Sequence, residues 1–223
     1  MTLALWDFYD EAYGDRVVTS WEGEKARINF IIDNIPSNGS RVLDIGCLDG
    51  SLTVNFIKNG NSVEAIAMSQ GEVDKARSKG IDARKGDFLD SDIAENRYDV
   101  VVASEVIEHV FSTDRFLDKV ANILKPGGRL VLTTPNIATF GRRLMLLLGR
   151  NPHLEYHEGS GQAGHIRYWT FSDMIEQLER IGFKIKKACS DEVNFNARGS
   201  WKSLLLARLF PTLGRTIMVV AEV

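Results

Sequence analysis

From Arg41 to Pro135 the chain alternates short apolar runs with stretches whose apolar residues recur every three or four positions, and this alternation is what most limits its fold. "RVLDIG" reads as a strand, "SLTVNFIKNG" as a helix closing at Gly60, "SVEAIAM" as a second strand and "GEVDKARSKG" as a helix. "DARKGDFLD" holds a short third strand, and "YDVVVAS" is an unbroken apolar run of the kind found in strands covered on both faces. "TDRFLDKVANIL" then sets Phe116, Leu117, Val120, Ile123 and Leu124 on one helical face, and "KPGG" turns the chain into strand "RLVLTTP". Upstream, Ile28, Ile31, Ile32 and Ile35 keep helical spacing over Glu22 to Ile35, with Pro36 just beyond. Such alternation predicts an α/β fold, a doubly wound and mostly parallel sheet with helices on both faces, whose ligands gather at the carboxyl ends of the strands.

A chain of 223 residues with 44% hydrophobic and 26% charged content has the material for a full core. One domain, 1–223, is expected, with an N-terminal helical segment over 1–36 and an insertion or lid over 136–169 after the fifth strand. The net charge of -3 supplies no basic footprint, which disfavours nucleic acid as partner. Cys47 and Cys189 stand far apart without a Cys/His grouping, so neither a disulfide framework nor structural zinc is indicated. The first residues, "MTLALWDFYDEAYG", are acidic and aromatic, unlike a signal peptide, and no apolar run approaches membrane-span length. These features predict a soluble cytoplasmic protein. No carboxylates are spaced as a metal site, so no metal is expected.

"RVLDIGCLDGSL" carries the first chemical signal. A glycine turn between a strand and a helix lets a ligand approach backbone, where the helix start offers unpaired N–H groups. The spacing here, Gly46 and Gly50 with no third glycine, is not the dinucleotide fingerprint. Asp44, just before the turn, would repel a phosphate and suit a cationic group such as an amino-acid ammonium.

Taken in order, "VLDIGCLDG", "GDFLD", "YDVVVASEVIEHV" and "LKPGGRLVLTTP" resemble the successive signatures of class I S-adenosylmethionine-dependent methyltransferases, in their small-molecule branch. The resemblance covers roughly residues 20 to 135, with a looser match through "GHIRYWTFSDMIEQLERIGFKI". It implies a seven-stranded sheet with an antiparallel edge hairpin formed by "FKIKKACS" and "TIMVVAEV". It further implies that Asp44, Gly46, Cys47 and Gly50 hold the methionine end of S-adenosylmethionine, and that Met68 belongs to the same cofactor site. Asp87 would accept a hydrogen bond from the adenine amino group with Phe88 beside the ring, while Ser104 and Glu105 edge the transfer site. Two positions depart from the pattern. Leu48 replaces a usual glycine, which is minor if that residue does not need positive φ. Ala67 replaces the acid that receives the ribose hydroxyls; Glu64, at an odd separation, points to the opposite face. Loss of a charge-assisted bond of about 1.5–3 kcal/mol weakens binding on the order of tenfold to a hundredfold, with Ser69 or Gln70 as partial substitutes.

A sulfonium donor is reactive by itself, so alignment of the acceptor supplies most of the catalysis. If the acceptor is a hydroxyl, a base must take its proton, and histidine suits that task near neutral pH. His109, after the fourth strand, is a candidate base or simply a polar residue fixing the next helix. His165, with Arg167 and Tyr168 nearby, is the second candidate and the better one for substrate contact, or else an ordered loop residue. His157 is a further substrate candidate. Leu144 to Leu148 read as a helix packed on the core or on a second copy, with an interfacial helix at a membrane surface as the less favoured alternative. The "GHIRYWT" segment and Arg142, Arg143 and Arg150 tilt the acceptor towards a sugar or glycan precursor. The reading is therefore methyl transfer from S-adenosylmethionine to a small-molecule hydroxyl. The competing one is a catalytically silent protein of the same fold that binds a metabolite or partner.

Overall fold

The computed structural model describes residues 24–152, 164–195 and 201–223. Seven strands form one sheet: β1 (Arg41–Ile45), β2 (Ser62–Ala67), β3 (Asp82–Lys85), β4 (Tyr98–Ser104), β5 (Leu124–Pro135), β6 (Lys184–Ser190) and β9 (Thr216–Glu222). Their order is β3-β2-β1-β4-β5-β9-β6, and β7 (Val193–Asn194) pairs with β8 (Lys202–Ser203) in a separate ribbon. Pairing is parallel from β3 through β5, whereas β9 runs antiparallel to both β5 and β6. The edge hairpin thus forms with β9 inserted between β5 and β6.

Alternate residues of the central strands enter opposite layers, which is why "YDVVVAS" has so little polar content. Val101 and Ala103 of β4 pack with Leu43, Ile45, Leu130 and Leu132. On that face lie α4 (Thr113–Ile123), through Phe116, Leu117 and Val120, and α6 (Phe171–Ile181), through Met174 and Leu178. Val100 and Val102 pack with Val42, Val131 and Val220 on the other face, covered by Ile28 and Ile31 of α1 (Lys25–Asp33) and Phe56 of α2 (Thr53–Lys58). The helical spacing around Ile28 and the four-residue face of α4 are therefore core faces. Between β2 and β3, α3 (Gln70–Ser78) closes a smaller cluster through Val73 and Ala76.

The chain order reverses between β1 and β4. This switch point opens a crevice outside the carboxyl ends of the strands. Asn136, fully buried just past β5, fixes one wall of it. Its Nδ2 donates to the carbonyls of Thr212 (3.0 Å) and Gly214 (2.8 Å), and its Oδ1 accepts from Ala138 N at 2.8 Å. A parallel bridge joins Asn136 to Trp169, so the segment between them leaves and returns at one place.

Within that segment α5 (Phe140–Leu147) forms, with Thr139 Oγ1 accepting from Arg142 N at its start. Of the two expected coverings, the core is not the one: none of its residues is buried, and Leu147 is 81% exposed. The last helix, α7 (Leu204–Leu209), follows β8. No helix among the described residues is long and apolar enough to cross a membrane. Trp6, Phe8, Tyr9, Tyr13 and the rest of the N-terminal segment up to residue 23 lie outside the described residues, as do His153 and His157.

Replacing Asn136 with alanine strands two backbone carbonyls and one N–H at the junction of β5 with the entry to β9. The substitution is expected to cost about 2–4 kcal/mol, read as a lower urea midpoint at unchanged slope.

Candidate functional site

The turn after β1 has a left-handed backbone at three positions, Gly46 (φ 76), Leu48 (φ 52) and Gly50 (φ 76). Leu48 therefore does adopt positive φ, contrary to the condition under which its replacement of glycine is minor, at a cost of roughly 1 kcal/mol. The two glycines serve different ends. A Cβ on Gly46 would meet Val106 Cγ2 at 2.6 Å, on the side facing the end of β4. One on Gly50 would meet Ile81 Cδ1 at 2.4 Å and Ala76 Cα at 3.1 Å, so Gly50 is a packing glycine against α3. Asp49 is buried and ion-paired to Lys79 at 2.9 Å, which clamps the turn to that helix.

Asp44 ends β1 with its carboxylate buried, accepting from Thr53 Oγ1 at 2.6 Å. Burial pushes its pKa up to about 7 against the hydrogen bond's opposite pull. Cys47 is buried and its thiol is driven far above the ordinary range by burial first and by Asp44 second, which leaves it inert.

At the end of β2, Ala67 is buried and Glu64 is committed elsewhere, held by Arg41 (2.9 Å), Arg97 (2.8 Å) and the Tyr98 hydroxyl (2.9 Å). Met68, just past it, is half-buried. Glu72 accepts from Ser69 N at 3.2 Å within a capping box at the start of α3, and Ser69 is fully buried there. At the end of β3, Asp87 Oδ1 accepts from Leu89 N at 2.8 Å, an Asx turn that leaves Oδ2 for a ligand. Phe88 is 4% exposed and packs edge-on against Phe116 at 5.2 Å, in the core.

These features fit S-adenosylmethionine. The buried Asp44 carboxyl would face the cationic end, the glycine turn would admit backbone contact, and the Ser69 hydroxyl lies two residues beyond Ala67, where the resemblance implies a ribose-binding acid. A hydroxyl there recovers only part of what a carboxylate supplies.

The end of β4 is the most unusual part of the site. Glu105 has φ 57, strained for a non-glycine residue, and a 3₁₀ turn at Ile107–His109 follows. Register pairs Ser104 with Thr133, so the Thr133 hydroxyl reaches Glu105 Oε1 at 3.0 Å. Since that hydroxyl has one proton, Ser104 Oγ donates to Thr133 (3.0 Å) and accepts from Arg27 Nη1 (2.5 Å). The result is a relay running from the guanidinium to the carboxylate. Arg27 also pairs with Glu24.

Glu108 is 1% exposed. Its Oε2 accepts from Thr134 Oγ1 at 2.9 Å, and its Oε1 has no hydrogen-bond partner, the nearest opposite group being His165 Nε2 at 3.9 Å. Burial, then the neighbouring Glu105 charge, holds Glu108 well above the usual carboxylate range; burial raises Glu105 too, offset by Arg27.

The substrate segment is tied to this turn. Ile166 N and Arg167 N donate to the Glu108 carbonyl at 3.0 and 2.9 Å, and Gly164 O faces His109 Nδ1 at 3.2 Å. The rings of His109 and His165 meet edge to face at 4.9 Å. Tyr168 donates to His165 O at 3.1 Å, and Arg167 donates to Phe111 O at 2.6 Å. A cavity of about 240 Å³ opens here, lined among others by Glu105, Glu108, His165, Arg167, Arg142 and Arg215. Both candidate histidines, Glu105, Arg167 and Tyr168 thus come together. The importance of Arg27 escapes sequence reading; Glu108 can be read there as a group that orients either histidine ring, and its i, i+3 spacing from Glu105 is a further signal of its place.

A family model described as a methyltransferase domain matches residues 21–188. Among curated relatives, a ubiquinone biosynthesis O-methyltransferase of Xylella fastidiosa is 32% identical over 117 residues, covering 49% of this chain and 48% of that protein. One from Nitrobacter winogradskyi is 38% identical over 104 residues, covering 44% and 40%. The chain spans about half the length of the curated relatives it matches. A solved structure from Thermotoga maritima, described as an S-adenosylmethionine-dependent methyltransferase and possible histamine N-methyltransferase, superposes with a TM-score of 0.67 at 13% identity, over 99% of this chain and 95% of that one.

The raised pKa of Asp44 has a signed consequence. The native state binds its proton more tightly than the unfolded chain, so the contribution is intact below about pH 4 and lost as pH rises through about 7. Asp44→Asn should abolish that slope: the stability difference between wild type and variant is expected to fall by on the order of 4 kcal/mol across this window in urea titrations.

Proposed function

Because this chain belongs to the methyltransferase-domain family, as a class I S-adenosylmethionine-dependent member, we propose that it transfers a methyl group to a hydroxyl of a small acceptor. The observation that carries the reading is the polar cavity at the ends of β4 and β5, where Glu108 and His165 face the place an acceptor would occupy. When bound, S-adenosylmethionine supplies an electrophilic methyl on a positively charged sulfur. The protein's own part is to align an oxygen with it and to receive that oxygen's proton. Asp44 and the Gly46 turn hold the amino-acid end, and Ser69 and Asp87 the nucleoside. The relay from Arg27 through Ser104 and Thr133 keeps Glu105 fixed at the methyl end.

Hydroxyl transfer is favoured over other acceptors because the cavity offers groups able to take a proton, and because the curated relatives are O-methyltransferases by name. Arg142, Arg167 and Arg215 in the lining support an acceptor with a polar or anionic face, so sugar and glycan-precursor hydroxyls enter the test beside phenolic ones. The segment after β5 would act as a lid over this cavity. A metabolite-binding role without turnover is the second reading, motivated by Ala67.

Incubating mixed hydroxyl acceptors with methyl-labelled donor is expected to add one methyl mass to a single acceptor class. His165→Ala should lower kcat/KM for it by about a hundredfold or more. Donor binding with no transfer to any acceptor would favour the silent protein instead.

A further inference from the structure

We propose that Lys119 is a positioning residue for the methyl donor: from α4 it fixes, through a single peptide unit, the Asp87 carboxylate that receives the adenine amino group. The proposal rests on the reading that places the nucleoside at Asp87.

Lys119 is half-buried on α4, and its ammonium is spent on the turn after β3. Nζ donates to the carbonyls of Phe88 (2.6 Å), Leu89 (3.1 Å) and Ser91. An ammonium has three N–H groups, and each finds a carbonyl of this one turn. The charge also lies 5.0 Å from the centre of the Phe88 ring, which itself packs against Phe116. Phe116 and Lys119 stand three residues apart on one face of α4, so that face holds the turn both by an apolar contact and by a charge.

The link to Asp87 follows from covalent geometry. The Phe88 carbonyl and the Leu89 N–H belong to one planar peptide unit and point in opposite directions. At one end the unit accepts from Lys119; at the other it donates to Asp87 Oδ1 at 2.8 Å. Ammonium, peptide and carboxylate therefore form one row in which each bond polarises the next. Turning that peptide plane would break both bonds at once. With Oδ1 pinned in this way, the direction of Oδ2 is set before a ligand arrives. Upstream, Gly86 N donates to Ala67 O at 3.0 Å, which ties the other side of Asp87 to the end of β2. Ordering a lysine side chain is entropically expensive, and the contact of Phe88 with Phe116 already docks the turn. An apolar side chain in its place would serve packing alone, whereas aiming a carboxylate calls for a charge that reaches the Phe88 carbonyl. A contact aimed in advance spares the ligand the cost of ordering it on binding.

Calorimetric titration of the full-length protein with S-adenosylhomocysteine and with its 6-deamino analogue, hydrogen in place of the adenine amino group, tests this without any methyl acceptor. The wild type is expected to prefer the amino compound by about tenfold to a hundredfold, the worth of a charge-assisted bond. Lys119→Met, close in length but uncharged, should lower that preference at least about fivefold, and Lys119→Arg should keep most of it. A merely structural role would weaken both compounds alike and leave the ratio unchanged. Lys119→Gln gives the same reading if the methionine variant fails to fold, with folding judged from the urea midpoint. A folded Lys119→Met or Lys119→Gln protein with the wild-type ratio, beside an Asp87→Ala protein that has lost it, would overturn the positioning role alone. Absence of any preference in the wild type, or a preference that survives in Asp87→Ala, would refute the placing of adenine at Asp87 and the proposal with it.

Discussion

Two carboxylates within one turn of each other, Glu108 buried and Glu105 half-buried, stand at the end of β4, and much of the surrounding architecture serves to keep them there. Like charges in a dry setting repel, and burial disfavours both. The Thr133 and Thr134 hydroxyls at the end of β5 each donate to one of them, and the Arg27 guanidinium reaches the same place from α1. Glu105 itself accepts a left-handed backbone at a cost of about 1–3 kcal/mol. Strain and unmet charge persist where the remaining structure overdetermines them, and such places are more often sites of chemistry than of stability.

Much of this was legible from residue pattern because it follows from periodicity. The apolar run of β4, the face of α4 and the helix through Ile28 are consequences of covering a sheet on both sides, and each appears where spacing places it. The order of the motifs brought Asp44, Asp87 and Glu105 to one edge of the sheet. What stayed hidden depends on segments distant in sequence. His165 approaches Glu108 only because the chain returns to β4 after α5, and no spacing rule encodes that return. Arg27 looks like a helix residue of ordinary charge until its tip is found against Ser104. The packing of Phe88 edge-on against Phe116 was hidden for a different reason: its place in a motif says nothing about which way its ring turns. Leu144 to Leu147 fall in a helix as their spacing predicts, yet none of its residues is buried, since periodicity reports a face and not its partner.

The two ends of the crevice differ in chemical character. At the donor end Ala67 stands where the resemblance implies a ribose-binding acid, with the Ser69 hydroxyl two residues on. At the acceptor end there is a surplus of ionisable groups for a reaction that needs chiefly alignment. A fold shared with many proteins does not by itself fix chemistry.

The central claim is that one crevice at the strand ends binds the donor with its sulfur turned towards the Glu105–Glu108 turn. A crystal structure of the protein with S-adenosylhomocysteine tests it most directly. The account predicts the amino-acid end at Asp44 and Gly46, the adenosine between Ser69 and Asp87, and the sulfur at the mouth of the cavity lined by Glu108 and His165. A nucleoside seated in that cavity itself, or no bound ligand at saturating concentration, would contradict it.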